Sequence, residues 1–418
     1  MINRHIITIS SEITFQVLWF LFFVNAFSCF VRIPARIFVD ISSGLFIGFL
    51  LIHYGYEWFR AIKTHKLKFI TLFMIPLLLM PMISALQAEQ VFGQPVLYGF
   101  LAQRQVFMVL CGHFIVIALQ RNWVSIKDFE RYLIRSLLIL LLTFLLFYMF
   151  VDSKQFANTD FITLSPNKGL RYEFPDSCIY ALLLYALFKL WIDRKKKWLI
   201  IIALCTFYIL AYLLDRTQLI AIIGTIGLYV LLNFKIGRMI RMLTLGTFGL
   251  LFVFLILNLM VPDFLSKNIS LYVGAFETLA GEKLTESSTN IRFLESKIAL
   301  DGFNNHPVIG VGFLSTRWNE GFRMVNKYFY PTDVGILGNL YVYGIIGTLI
   351  FYLPFFYSFL YRKRLRKNKT ALLVTSQYIM IFFFADMLTA ATNQKFYGVI
   401  SVFFGILYYH RFNQETTD

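Results

Sequence analysis

YPTDVGILGNLYVYGIIGTL, residues 330–349, is where a long hydrophilic stretch passes into an apolar run. The hydrophilic stretch covers 262–332 and includes, toward its end, NNHPVIGVGFLS at 304–315. The apolar run from 333 to 359 exceeds the ~20 helical residues needed to cross a hydrocarbon core of ~30 Å. A polar segment feeding directly into such a helix must lie outside the bilayer core, because unsatisfied backbone groups are not tolerated in lipid. The chemistry of the chain is expected there.

Working outward, the composition excludes a soluble single domain: hydrophobic residues make up 58% of 418 and charged ones 15%. Aromatics reach 18%, with 47 Phe and 23 Tyr, which suits lipid-facing bulk and the headgroup region. Cys29, Cys111, Cys178 and Cys205 sit in or beside apolar runs and read as small hydrophobes rather than as a disulfide or metal framework. Apolar runs fall near 12–31, 37–53, 69–86, 97–119, 132–151, 176–192, 198–214, 217–233, 243–261, 333–359, 371–391 and 396–410. The expected fold is all-α: a polytopic integral membrane protein of about twelve transmembrane helices. Residues 1–418 read as a single transmembrane domain, and 262–332 as a long helical external loop that caps the active site.

A formal charge of +16 would suggest nucleic acid in a soluble protein, but here its distribution matters more than its sum. Basic residues gather on alternate connections, among them Arg60 to Lys68, Arg121 to Arg131, Arg194 to Lys197, Lys235 to Arg241 and Arg362 to Lys369. The rule that lysine and arginine stay inside then puts both ends in the cytoplasm and the long loop outside. The first apolar run follows Arg4 and His5 like a signal sequence, yet it is long and lacks a small-x-small cleavage pattern, so it reads as an uncleaved anchor.

Charges held near a membrane are expensive, which marks them as functional candidates. Arg216 sits in the short outward turn Asp215-Arg216-Thr217 between two spans; Arg171 lies in SPNKGLRYEFP; Arg292 opens NIRFLESKIALDGFNNHP. In that last segment Thr289 or Asn290 could cap a helix whose apolar side is Phe293, Ile298 and Ala299. Guanidiniums offer a planar fork of donors that stays charged, so three that converge would suit a diphosphate at the membrane surface. The plainer reading makes each an interface anchor. Arg104, between Gln103 and Gln105 inside a span, must face protein or water and is a supporting candidate. His306 precedes Pro307, and HPVIGVG reads as a helix end followed by an extended turn that needs Gly310 and Gly312 for close backbone approach. Its imidazole is expected to shape the turn rather than act as a base. Asp333 stands at the outer mouth of a span, where it can cap the first amides or act in catalysis; both readings stay open. Asp386 is read as structural. No metal-ligand spacing and no phosphate-binding glycine loop is present, and no cofactor is expected.

Together, LLDRTQLIAIIGTIGLYVL, the loop with RFLESKIAL and NHPVIGVGF, and the D-x-G-x-L-x-N-L-Y-x-Y-G-I-I-G span resemble the O-antigen ligase and polymerase superfamily of bacterial envelope glycosyltransferases over roughly residues 165–360. The ligases carry a histidine followed by asparagine eleven residues before the glycine of G-x-x-G. Counted back from Gly344, that place holds Asp333 and Val334, which is more similar to the repeat-unit polymerases called Wzy. The resemblance implies a metal-independent glycosyl transfer at the periplasmic face of the bacterial inner membrane, in lipopolysaccharide biosynthesis. Undecaprenyl-diphosphate-linked oligosaccharides would serve as donor and acceptor. Arg171, Arg216 and Arg292 would hold the leaving diphosphate, with Asp333, Arg216 and Arg292 as the catalytic set and His306 and Arg104 in support. Implied partners are membrane lipids, a chain-length regulator and a flippase, with no nucleic acid. Ligase activity is the alternative within the superfamily. A lipid-linked sugar transporter is the alternative from another class, but such proteins more often show matched repeats and interrupted helices, neither of which is evident in the sequence.

Overall fold

The computed structural model describes residues 73–152, 162–165, 169–172, 177–213, 216–237, 287–361, 370–389 and 397–415, with scattered helical positions within 15–48 and 240–255. In chain order the helices are α1 Ile75–Phe92, α2 Val96–Ala102, α3 Leu110–Gln120, α4 Ile126–Phe150, α5 Ser177–Asp193, α6 Lys197–Tyr208, α7 Arg216–Asn233, α8 Ser287–Asn305, α9 Gly335–Tyr361, α10 Ala371–Thr389 and α11 Tyr397–Glu415. A two-stranded antiparallel hairpin, β1 Ile162–Ser165 and β2 Gly169–Tyr172, precedes α5. The chain is otherwise helical among the described residues.

Among the described residues four helices are long and apolar enough to cross a membrane: α1, α4, Gly335–Leu360 of α9 and Ala371–Leu388 of α10. The pair Val96–Ala102 and Arg104–Gln120, bent by 44°, makes a fifth if counted as one span. The expected count of about twelve is not confirmed by the described residues, for two reasons. Spans expected at 12–31, 37–53 and 243–261 lie outside the described residues apart from isolated helical positions. Lys197–Leu213, Thr217–Asn233 and Gly398–His410 are apolar but shorter than a full span, and a 17-residue helix rises only about 26 Å.

Local sequence explains several boundaries. The α4 helix begins at Ile126, ahead of the expected 132, because the Ser125 hydroxyl caps it by accepting from the Asp128 amide at 3.1 Å. Arg131, expected in a connection, therefore sits in the second turn and pairs with Asp128 at 3.1 Å. The α3 and α11 helices meet through glycines: a Cβ at Gly405 would lie 2.7 Å from the Gly112 carbonyl oxygen, so only small residues allow the approach. Rings join α5, α7 and α10, with Trp191 stacked on Tyr229 at 5.0 Å and Tyr229 edge-on to Tyr378 at the same separation. Asn233 donates to the Tyr378 hydroxyl at 3.2 Å. Cys111, Cys178 and Cys205 are buried among apolar side chains, as small hydrophobes would be.

The span expected at 333–359 is not continuous, which corrects the reading that the chain has no interrupted helix. Gly344 adopts φ 61° and ψ −167° inside α9, so the intrahelical ladder breaks there. The freed backbone groups are met by the NHPVIGVG segment. Val311 and Gly312 donate their amides to the carbonyls of Tyr341 and Val342 at 2.8 and 3.0 Å. In return the amides of Ile345 and Ile346 donate to the carbonyls of Pro307 and Val308 at 2.9 and 3.2 Å. Four hydrogen bonds thus splice the loop into the helix, as the absence of water in a bilayer demands. Two glycines are indispensable to it: a Cβ at Gly310 would stand 2.6 Å from the Gly344 nitrogen, and one at Gly344 2.5 Å from the Ile309 nitrogen, both at positive φ.

Candidate functional site

The loop at residues 307–315 is held to the span region by polar side chains buried in the first half of the chain. Ser84 of α1 accepts from the Phe313 amide at 2.9 Å. Gln94, in the α1–α2 turn, accepts from the Ser315 amide at 2.7 Å and donates to the Phe313 carbonyl at 3.0 Å, in the manner of a strand. Gln103 donates to the Pro81 and Gly99 carbonyls and accepts from the Tyr343 hydroxyl at 3.0 Å, just before the break. Over this lies an aromatic cluster in which Phe322 meets Phe313, and Phe329 meets Tyr341 at 5.0 Å. The described part of the loop between 307 and 330 is therefore held in place by these contacts.

The α8 helix starts at Ser287, not at an Asn290 or Thr289 cap. Its buried side also differs from expectation: Ala299 is buried and Ile298 half-buried, but Phe293 is 75% exposed, while Glu295 is 1% exposed. The reason is the turn that α8 packs against. The Tyr330 amide donates to Glu295 Oε1 at 2.9 Å, and Glu295 Oε2 is buried with no hydrogen-bond partner among the described residues. Tyr330 is held in turn by the Arg323 guanidinium, which donates to its hydroxyl and lies over its ring. Pro331–Asp333 then forms a 3-10 turn leading into α9, and Gly338 lets that turn lie on the helix, since a Cβ there would meet the Pro331 carbonyl carbon at 2.7 Å.

This arrangement gathers Arg292, Glu295 and Asp333. Burial pushes the Glu295 carboxyl above the usual carboxylate range, with the Asp333 charge adding to the rise, against the Tyr330 amide and the Arg292 cation. Asp333 is exposed, but the turn packed around its carboxyl still desolvates it in part and raises it too, opposed by Arg292 and the Thr332 hydroxyl. Among the described residues the Asp333 carboxylate accepts one long hydrogen bond, 3.4 Å from Thr332 Oγ1, and none from the first amides of α9. It is not a helix cap. A carboxylate left uncommitted and raised in pKa beside a guanidinium can take a proton from a hydroxyl while an anionic group is held nearby.

The other expected residues stand as follows. Arg171 is in β2, paired in register with Thr163, and Arg216 opens α7; their side chains lie outside the described residues, so convergence of the three guanidiniums is a matter for proposal. Arg104 starts the 3-10 segment Arg104–Val109 at the bend and donates to the Leu101 carbonyl at 3.0 Å. His306 ends α8: its amide donates to the Gly302 and Phe303 carbonyls and its carbonyl accepts from Gly310, so the backbone shapes the turn while the imidazole makes no hydrogen bond among the described residues. Asp386 is buried within α10. Sequence reasoning missed Glu295, Gln94 and Ser84. None of the three carried a local signal, because the backbone groups they meet at Tyr330, Phe313 and Ser315 are distant in the chain.

No curated protein matches the chain. Residues 201–352 match the family model described as O-antigen ligase, a segment that includes Arg216, α8, the splice and the broken part of α9. Over that segment, less than half of its length, the chain is similar to the O-antigen ligase family.

Proposed function

We propose that the protein is an inner-membrane glycosyltransferase that polymerises undecaprenyl-diphosphate-linked oligosaccharide repeats into O-antigen or a related surface polysaccharide on the periplasmic face. The observation that carries this reading is the Asp333 carboxylate, uncommitted to capping and coupled to Arg292, at the mouth of the broken span within the family-matched segment. In the reaction a hydroxyl of the incoming repeat attacks the anomeric carbon of the growing chain. The bond from that carbon to the diphosphate oxygen breaks, its electron pair leaves with the lipid diphosphate, and the hydroxyl proton passes to Asp333. Arg292, Arg216 and Arg171 neutralise the departing charge, and no metal is called upon. A diphosphate already leaves well, so positioning and charge are the main demands on the protein. His306 and Arg104 support the cap and the bend, and a flippase and a chain-length regulator act before and beside it. Both termini are assigned to the cytoplasm.

Ligase activity is the second reading, favoured by the description of the matched family. Transport is disfavoured by the break in α9: its freed carbonyls at Tyr341 and Val342 already accept from Val311 and Gly312 and are not left to coordinate an ion. Purified protein given lipid-diphosphate-linked repeats, without nucleotide sugar, should yield a product ladder. Transfer to lipid A core with no ladder would assign the ligase reaction, and no transfer at all would reject both. Replacing Arg216 with alanine should shorten or abolish the ladder; an unchanged ladder would remove Arg216 from the mechanism.

A further inference from the structure

Glu295 is the least expected residue of the cap. It occupies a position in α8 one turn after Arg292 and one turn before Ala299, on the stripe that packs toward the Tyr330–Asp333 turn. An apolar side chain would be buried there at far less cost, since a carboxylate deprived of water is heavily penalised unless all its oxygens are met. Only one oxygen is met, by the Tyr330 amide at 2.9 Å, while Oε2 has no partner among the described residues. That amide lies three residues before Asp333 and on the same short turn, whose own bond from the Asp333 amide to the Tyr330 carbonyl is 2.9 Å. The chain of contacts is thus Arg292 to Glu295 through one helical turn, Glu295 to Tyr330 through one hydrogen bond, and Tyr330 to Asp333 through another. The cation and the carboxylate of the centre are carried by two different elements, and Glu295 is the side chain that ties these elements together.

We propose that Glu295 is the positioning residue of this centre: by holding the Tyr330 amide it fixes the Asp333 carboxylate relative to the Arg292 guanidinium. It touches neither substrate nor reacting atoms. The inference rests on the reading of Asp333 and Arg292 given above. Its consequence is selective, because misplacing the proton acceptor slows the chemical step while the guanidiniums still bind the diphosphate.

The test uses the full chain in lipid nanodiscs with lipid-diphosphate-linked repeats as probe, comparing Glu295→Ala, Glu295→Gln, Glu295→Asp and Asp333→Ala. In Glu295→Ala, kcat should fall roughly 10- to 100-fold with KM for the repeats nearly unchanged, the scale expected when a reacting group is displaced by about an ångström. Glu295→Gln keeps a carbonyl acceptor for the Tyr330 amide and should recover most of the rate; a purely structural contribution would lower the amount of folded protein rather than split kcat from KM. If Glu295→Ala does not fold, Glu295→Asp, which retracts the acceptor by one methylene, should show the same split. A wild-type kcat in Glu295→Ala or Glu295→Asp, or a Glu295→Gln rate as low as that of alanine, would overturn the role of Glu295, provided Asp333→Ala is inactive. Wild-type turnover in Asp333→Ala would instead overturn the underlying reading, and the role of Glu295 with it.

Discussion

Asp333 must be ionised to accept a proton, and its desolvated carboxyl titrates above the ordinary carboxylate range. The rate of polymerisation should therefore fall as pH drops through that raised value. Arg292 opposes the rise, so Arg292→Ala should move the acid limb of the pH–rate profile to higher pH; a limb that stays put or moves down would separate the two residues. Stability carries the opposite sign. Because Glu295 binds its proton more tightly folded than unfolded, the folded state gains at low pH and loses as pH rises from the ordinary carboxylate value through the raised one. Removing the charge with Glu295→Gln should raise the melting temperature at neutral pH and change it little under acid conditions, as thermal unfolding of the purified protein would show. Centres that hold two carboxylates close together commonly sacrifice stability in this way.

Between elements, the decisive feature is the exchange of backbone bonds between residues 307–312 and the break in α9. Gly344→Ala and Gly310→Ala should each destabilise the protein by at least about 2 kcal/mol, since both put a Cβ into backbone at positive φ. The same change at Gly224 in α7, where nothing lies within 4 Å, should be neutral or stabilising by up to about 1 kcal/mol. Thermal unfolding and limited proteolysis of the cap would check this, with the first two variants cleaved faster. The sequence announced half of the device. The HPVIGVG glycines signalled a close backbone approach, because glycine needs little context to be recognised there. What they approach could not be read: YGIIG inside an apolar run looks like tolerated glycine in a span, and only the tertiary pairing turns it into a break. The same limit hid Glu295, because helical periodicity favoured Phe293, whereas the polar amide that calls for a carboxylate comes from Tyr330, 35 residues away.

For the whole molecule, composition pointed to a membrane protein, and the lengths of the apolar runs made it a helical one. The number of spans was less legible, since several apolar helices are too short to cross alone and the 97–119 run folds as a bent pair. Orientation rests on lysine and arginine in the connections. Phe293, exposed on the cap, gives it a direct check: a Phe293→Cys variant should react with a membrane-impermeant thiol reagent added from the periplasmic side, whereas labelling only from the cytoplasmic side would invert the topology. The central claim is that Asp333, presented by a cap locked into a broken helix, receives the proton in glycosyl transfer between lipid-linked repeats. Its most direct test compares purified wild type with Asp333→Asn for binding and turnover of lipid-diphosphate-linked repeats. The expected result is donor binding within a few-fold of wild type and turnover reduced by about 100-fold or more. Turnover at the wild-type rate in Asp333→Asn would contradict it.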